Sequence, residues 1–284
     1  MNTTKKVMLC AISNISSGTC AEDCSFCAQS AKYKASIDRY AKKPIETIVA
    51  EATAARANKA AGFCLVTAGK GLDDTKLEFV AQAARAVRDA HPEINIIACN
   101  GTATKEQLAY LKEAGVNSYN HNLETSQRFY QTICSTHTWE ERYETCQNAK
   151  SVGLKLCTGG IYGLGETQDD RLSMLQAVAS LQADSSPINF YIPNDALPLQ
   201  PQPMSPQEAL EIIALARSIL PQTRLMIAGG RSQVFGDDFL PVLEAGAQAI
   251  VIGNYLTTLG NDPVKEHAIL AQGGYEIIER CREE

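Results

Sequence analysis

Eight short runs of strand-forming residues, alternating with longer helix-forming stretches, constrain this chain more than any other feature. The runs fall at 7–12, 62–67, 95–99, 118–122, 154–157, 188–192, 224–227 and 249–252, and helices are expected at 44–60, 76–90, 105–114, 139–152, 169–182 and 206–220. Helix-start chemistry supports several of these: Pro44 suits a first turn, Thr104 precedes Glu106 and Gln107, and Ser205 is an N-cap followed by Pro206. Runs such as FCLVTA and AIVIG are almost continuously apolar, as strands are when helices cover one side and a packed interior the other. Eight β-then-α units in 284 residues fit a (β/α)8 TIM-type barrel, typically about 250 residues. A doubly wound open sheet shares the alternation, because closure leaves no local mark. No Pro- or Ser-rich linker divides the chain, so 1–284 is expected as a single domain, with Gln200 to Pro203 as a loop before the helix at 206.

The net charge of -6 and pI near 5.4 argue against attraction to nucleic acid or anionic lipid, which needs clustered Lys and Arg. A small-molecule substrate is the expectation. The opening MNTTKKVMLCAISNIS has only a short apolar stretch broken by Ser and Asn, too weak for a signal peptide. No stretch approaches the roughly 18 apolar residues of a membrane span. A cytoplasmic location is therefore expected. In that reducing setting the ten cysteines point to ligation, catalysis or burial, not disulfides.

Three of them follow the first strand as Cys20, Cys24 and Cys27, a C-x3-C-x2-C spacing. Three thiolates this close can hold three irons of a [4Fe-4S] cube, and the missing fourth cysteine leaves one iron open to another ligand. A zinc site would need a fourth ligand from elsewhere, and inert packing does not suit a polar loop carrying Glu22 and Asp23. The spacing, with Phe26 just before the last cysteine, resembles the signature of the radical S-adenosylmethionine (SAM) superfamily. That resemblance implies a barrel of the radical SAM kind, a [4Fe-4S] cluster that cleaves SAM to a 5'-deoxyadenosyl radical, and Phe26 packed near the adenine.

Cys64, Cys99 and Cys157 lie in GFCLVTAG, IIACNGT and KLCTGG, in strands or at their ends. If Phe63, Leu65 and Leu156 face the helices, side-chain alternation turns Cys64 and Cys157 into the barrel. Singly, each is an ordinary small apolar filler; together they can converge. Arg224, opening TRLMIAGG, is a further interior candidate that an anionic centre would satisfy, with Arg231 as the second choice.

These cysteines, with YNHNLETS at 119–126 and GGIYGLGET at 159–167, resemble the biotin synthase family along nearly the whole chain. The resemblance implies a [2Fe-2S] cluster on Cys64, Cys99, Cys157 and Arg224 as sulfur donor, and conversion of dethiobiotin to biotin. It implies Asn120, Asn122 and Asn189 at the ureido ring, Asn122 and Glu124 at the SAM ribose, a reducing electron-transfer protein as partner, and a homodimer. Asn120 and Asn122, two apart, share one face of a strand, and an amide suits a cyclic urea. The glycine run fails the G-x-G-x-x-G pattern because Gln168 stands at the last position, so Gly163 is read as close backbone approach to SAM or as a tight turn. His121 should face away. The family more often has Asp at position 124, and 194–199 also departs from its usual pattern. Other readings are another radical SAM reaction, of the hydrogenase-maturation or methylornithine type, and a non-catalytic iron-sulfur or zinc scaffold.

Overall fold

The computed structural model describes residues 5–258 and 260–281, so both ends of the expected 1–284 domain lie outside the described residues. The elements run β1 (Lys5–Ser16), α1 (Ile45–Ala57), β2 (Gly62–Thr67), α2 (Asp74–Ala90), β3 (Asn95–Cys99), α3 (Lys105–Glu113), β4 (Ser118–Asn120), α4 (Gln127–Ile133), α5 (Trp139–Ser151) and β5 (Lys155–Cys157). They continue with β6 (Gly160–Tyr162), α6 (Gln168–Ser180), β7 (Ser185–Phe190), α7 (Pro206–Ile219), β8 (Arg224–Ile227), α8 (Arg231–Phe235), α9 (Leu240–Glu244), β9 (Ala249–Val251), α10 (Pro263–Gln272) and β10 (Tyr275–Ile278). The helices start where side chains satisfy their first free N–H groups: Asp73 caps α2, Ser205 caps α7, and Thr104, Thr138 and Thr167 form capping boxes with Gln107, Glu141 and Asp170.

Neighbouring strands are parallel in the order β1-β2-β3-β4-β5-β7-β8-β9, and β9 pairs back onto β1 through Met8↔Ala249, Leu9↔Ile250 and Cys10↔Val251. That pairing closes an eight-stranded barrel and disposes of the open doubly wound sheet. Two strands were not expected from the sequence. β6 continues the line of β5 after a break and pairs β7, while β10 lies beside the first residues of β1.

Alternation sorts the apolar residues into two cores. Phe63 and Leu65 on β2 face outward into the large core under the helices, whereas Cys64 and Val66 face the lumen. The lumen core also holds Met8, Cys10, Ile97, Cys157, Met226 and Val251, with Cys99 packed against it. Burying each large apolar side chain stabilises by about 1.5–3 kcal/mol, so a strand with both faces covered has no edge-on alternative.

The break between β5 and β6 has a local cause. β7 runs through Pro187, which cannot donate to a ladder. Ser185 O accepts from Thr158 N, and Tyr191 N donates to Tyr162 O, so the missing N–H falls where β5 has ended and β6 has not begun. Gly159 fits into that gap: a Cβ there would overlap Pro187 O.

Candidate active site

The cluster loop leaves the C-terminal end of β1, the end of a barrel where loops rather than packed layers meet the lumen. Gln29 ties it down, accepting from Gly18 N at 2.6 Å and Ser17 Oγ at 3.2 Å. Cys20 is buried and Cys24 and Cys27 half-buried. Their sulfurs do not converge within the 4.8 Å span that one ion demands, as the mutually close group of Cys24, Cys134 and His137 does. A wider spread is what a cube of four irons needs and what a single zinc ion does not. Burial pushes the Cys27 thiol up to about 11. A bound metal would reverse this, because coordination deprotonates a thiol.

The second cysteine set is brought together by strand register. Cys64 pairs Ile97 and Val66 pairs Cys99, which sets the two thiols one step apart across β2 and β3, and the Cys64 and Cys99 side chains hydrogen-bond. Asn120 pairs Cys157, Cys157 pairs Ser185, and Ser185 pairs Arg224, a continuous inward-facing row across four strands. Asn120 Nδ2 also donates to Cys99 Sγ at 3.6 Å. The hydrogen bond with Cys99, and then burial, hold the Cys64 thiol well above the usual range, and burial pushes Cys157 up to about 12. Three buried or half-buried thiols, with Arg224 further along the same inward-facing row, are a donor set for a compact anionic metal centre. Arg231 does not reach them: it is fully buried in an ion pair with Glu266, its guanidinium 4.7 Å from the Phe239 ring centroid.

Between the two sets lies a cavity of about 370 Å3, lined among others by Phe26, Cys27, Cys64, Cys99, Asn120, Asn122, Glu124, Cys157, Ile161, Asn189 and Tyr255. That is within the usual range for a small-ligand pocket. A second cavity of about 330 Å3 reaches Cys157 from the other end of the barrel; Cys10, Ile97, Cys157 and Met226 line both, and Arg224 lines only the second. Cys10, a fourth lumen thiol, was not singled out from the sequence.

Three polar atoms of the first cavity's lining are buried without a hydrogen-bond partner among the described residues: Asn120 Oδ1, Asn122 Oδ1 and Glu124 Oε2. An unpaired buried acceptor costs about 1–3 kcal/mol, so these atoms are poised for donors on a ligand. Asn189 lines the same wall, but its Nδ2 donates to Gly160 O at 3.0 Å and its Oδ1 accepts from Gly229 N at 2.9 Å. Glu124 sits at φ 69, pinned by Leu123 N and Glu124 N donating to Gly159 O and by Ile161 N donating to Glu124 O. Burial raises its pKa, opposed by Arg142, whose Nη2 donates to Oε1 at 2.8 Å. Arg142 comes from α5 and also donates to Asn122 O at 2.6 Å; nothing local in the sequence marks it.

Gly163 lies outside the cavity lining. It has φ +90, and its N–H donates to Glu166, so its turn supplies shape beside Tyr191. His121 is buried off the cavity, near Tyr119, and burial holds it well below the usual imidazole range, as a structural residue should be.

The Radical SAM superfamily model matches residues 14–178, and the Biotin and Thiamin Synthesis associated domain matches 187–276. The chain is 59% identical to the biotin synthase of Aliarcobacter butzleri over 278 residues, 98% of this chain and 99% of that protein. It is 54% identical to the biotin synthase of Wolinella succinogenes over 277 residues, 98% and 99% of the two chains. Among solved structures, the FeFe-hydrogenase maturase HydG from Carboxydothermus hydrogenoformans superposes with TM-score 0.83 at 17% identity, covering 96% of this chain and 67% of that one. Methylornithine synthase superposes with TM-score 0.74 at 19% identity, covering 87% and 72%. Those two share the barrel; the biotin synthases share the sequence.

Proposed function

The chain belongs to the radical SAM superfamily and, within it, to the biotin synthases, and from that membership we propose that it converts dethiobiotin to biotin by inserting sulfur between two saturated carbons. When bound, a [4Fe-4S] cluster on Cys20, Cys24 and Cys27 supplies the electron that cleaves SAM to a hydrogen-abstracting radical, and a [2Fe-2S] cluster on Cys64, Cys99, Cys157 and Arg224 supplies sulfide. The observation that carries this reading is one cavity with thiols of both sets in its walls and three unpaired acceptors between them.

The protein's own part is positioning and shielding. Asn120 Oδ1 and Asn122 Oδ1 face the cavity as acceptors, matching the two N–H donors of a cyclic urea. Asn189 frames the same ring; the bond from Gly229 leaves its carbonyl one further lone pair. Phe26, Asn122 and Glu124 hold SAM, Glu124 offering Oε2 to a ribose hydroxyl while Arg142 holds Oε1, and the Gly163 turn shapes the wall behind them. Arg142 is a positioning residue, since it acts through Glu124 and Asn122. The apolar part of the lining excludes water from a reactive radical.

We assign 1–284 to one radical SAM domain, because the two family matches fall on strands of the same barrel. A homodimer, a reducing electron-transfer partner and a cytoplasmic setting complete the reading. No described helix is long and apolar enough to cross a membrane. The direct test is anaerobic reconstitution with iron and sulfide, then incubation with dethiobiotin, SAM and a reductant. Mass spectrometry should find biotin and 5'-deoxyadenosine. SAM cleavage without a sulfur-containing product would reject the proposal and favour another radical SAM reaction.

A further inference from the structure

Cys134 belongs to neither cysteine set, yet its Sγ lies 3.6 Å from that of Cys24. It ends α4, and three residues on His137 brings Nε2 to 3.8 Å and Nδ1 to 3.3 Å from the same sulfur. The turn is clamped onto the cluster loop by Asp23, which accepts from Ser135 N at 3.0 Å and Thr136 N at 3.2 Å. Cys134 and His137 are buried, at 6% and 7% exposure. Ligand atoms of Cys24, Cys134 and His137 all lie within 4.8 Å of one another.

We propose that Cys24, Cys134 and His137 form a mononuclear site for a thiophilic divalent cation, Zn2+ or Fe2+, in the chain that has not yet received its [4Fe-4S] cluster. Metal–sulfur bonds of about 2.3 Å and metal–nitrogen bonds of about 2.0–2.1 Å place tetrahedral ligand atoms roughly 3.6–3.8 Å apart. The sulfur–sulfur and sulfur–Nε2 separations match that spacing. Glu22 Oε2 accepts from Nδ1 at 2.7 Å, the carboxylate–histidine arrangement that fixes a ligating imidazole with its other nitrogen free. Arg142 Nη1 lies 3.3 Å from Nε2, with Nε and Nη2 of the same guanidinium on Asn122 O and Glu124, so a metal on Nε2 displaces Nη1 from that lone pair. Three protein ligands leave the fourth corner for water. Cys24 is shared with the cluster, so ion and cluster exclude each other; this second claim rests on the cluster assignment above, and the first does not.

Full-length protein, freed of metal by a chelator and kept reduced, is titrated with Co2+ as a spectroscopic probe. One equivalent should give an intense thiolate-to-cobalt band and a tetrahedral visible spectrum, and Zn2+ should bleach it by displacement. Cys134→Ser and His137→Gln should each weaken binding at least about tenfold, the scale set by losing even an outer partner of a metal ligand. Two variants are read so that a folding defect in one, seen by circular dichroism, leaves the other as the test. Cys20→Ser should keep the cobalt site while losing the cluster. Zinc loaded first should slow [4Fe-4S] assembly, followed by its visible absorbance, in wild type and not in Cys134→Ser. Wild-type cobalt affinity in both Cys134→Ser and His137→Gln, or loss of the band in Cys20→Ser, overturns the site. Unimpeded assembly on zinc-loaded wild type overturns the exclusion. A wild type that never forms a cluster tells against the proposed function and leaves the cobalt result standing.

Discussion

Cys24 and Cys99 each contribute one thiol, but their removal should fail at different steps. On the proposed assignment Cys24→Ala removes a ligand of the SAM-cleaving cluster, so 5'-deoxyadenosine should fall to background. Cys99→Ala sits in the other set, so SAM cleavage should persist while biotin is lost. Equal cleavage by Cys24→Ala and wild type would reject the assignment. A third residue tests structure alone. Arg231 and Glu266 are both fully buried as a pair, and burial raises the Glu266 pKa against the pull of Arg231. Arg231→Met should cost about 3–5 kcal/mol by stranding the carboxylate, whereas adding Glu266→Leu should restore most of it, both read as urea midpoints. The inward phase of Cys64 was legible because Phe63 and Leu65 flank it, and that of Arg224 because its strand was placed to the residue. Arg142, Cys134 and His137 were not legible, because each acquires its meaning from partners distant in sequence, and Cys10 reads as one more apolar strand residue.

At the scale of elements, strands β2, β3 and β8 lie where their apolar runs predict, and departures occur where tertiary contacts overrule local pattern. β4 stops at Asn120, not 122, because Leu123 and Glu124 cross to bond Gly159. β7 begins three residues before the expected 188, since Pro187 is harmless at the break between β5 and β6. Helices α8 and α9 are five residues long, too short for a periodic signal. Capping offers the sharpest test. Asp170, 2% exposed, closes the box at the start of α6, accepts from Ser126 Oγ at 2.6 Å and pairs with Arg128, joining α4 to α6. Burial pushes its pKa up, but the bonds from Ser126, Thr167 and Arg128 outweigh that and hold it well below the usual 3.8. Its contribution is therefore present above about pH 4 and lost as the pH falls toward the folded-state value. Asp170→Asn should lower stability by about 1–3 kcal/mol at pH 7, and the gap from wild type should narrow at pH 3, by denaturant titration at each pH. A gap constant across that range would contradict it.

At the scale of the whole molecule, the two family matches meet between residues 178 and 187, inside the barrel wall. A fragment ending at 182 would carry β1 to β6 without β7, β8 or β9, leaving β6 without a partner, β1 and β5 each with one bare edge, and the lumen core open. Expressed alone, it should show no near-ultraviolet circular dichroism of packed aromatics and no cooperative unfolding. A cooperative transition in that fragment would make the single-domain assignment wrong. Barrel closure was the part of the fold that sequence pattern could not supply, because it depends on β1 meeting β9.

That meeting also sets an order in time. On the ribosome the thiols at 20, 24 and 27 emerge early, but the strand that completes the wall beneath them, 249–251, is among the last to be made. Pairing between strands so distant in sequence is slow to form, and the unfinished sheet meanwhile presents bare edges to its surroundings. The sulfurs at 20, 24 and 27 thus wait through most of synthesis for a finished vessel.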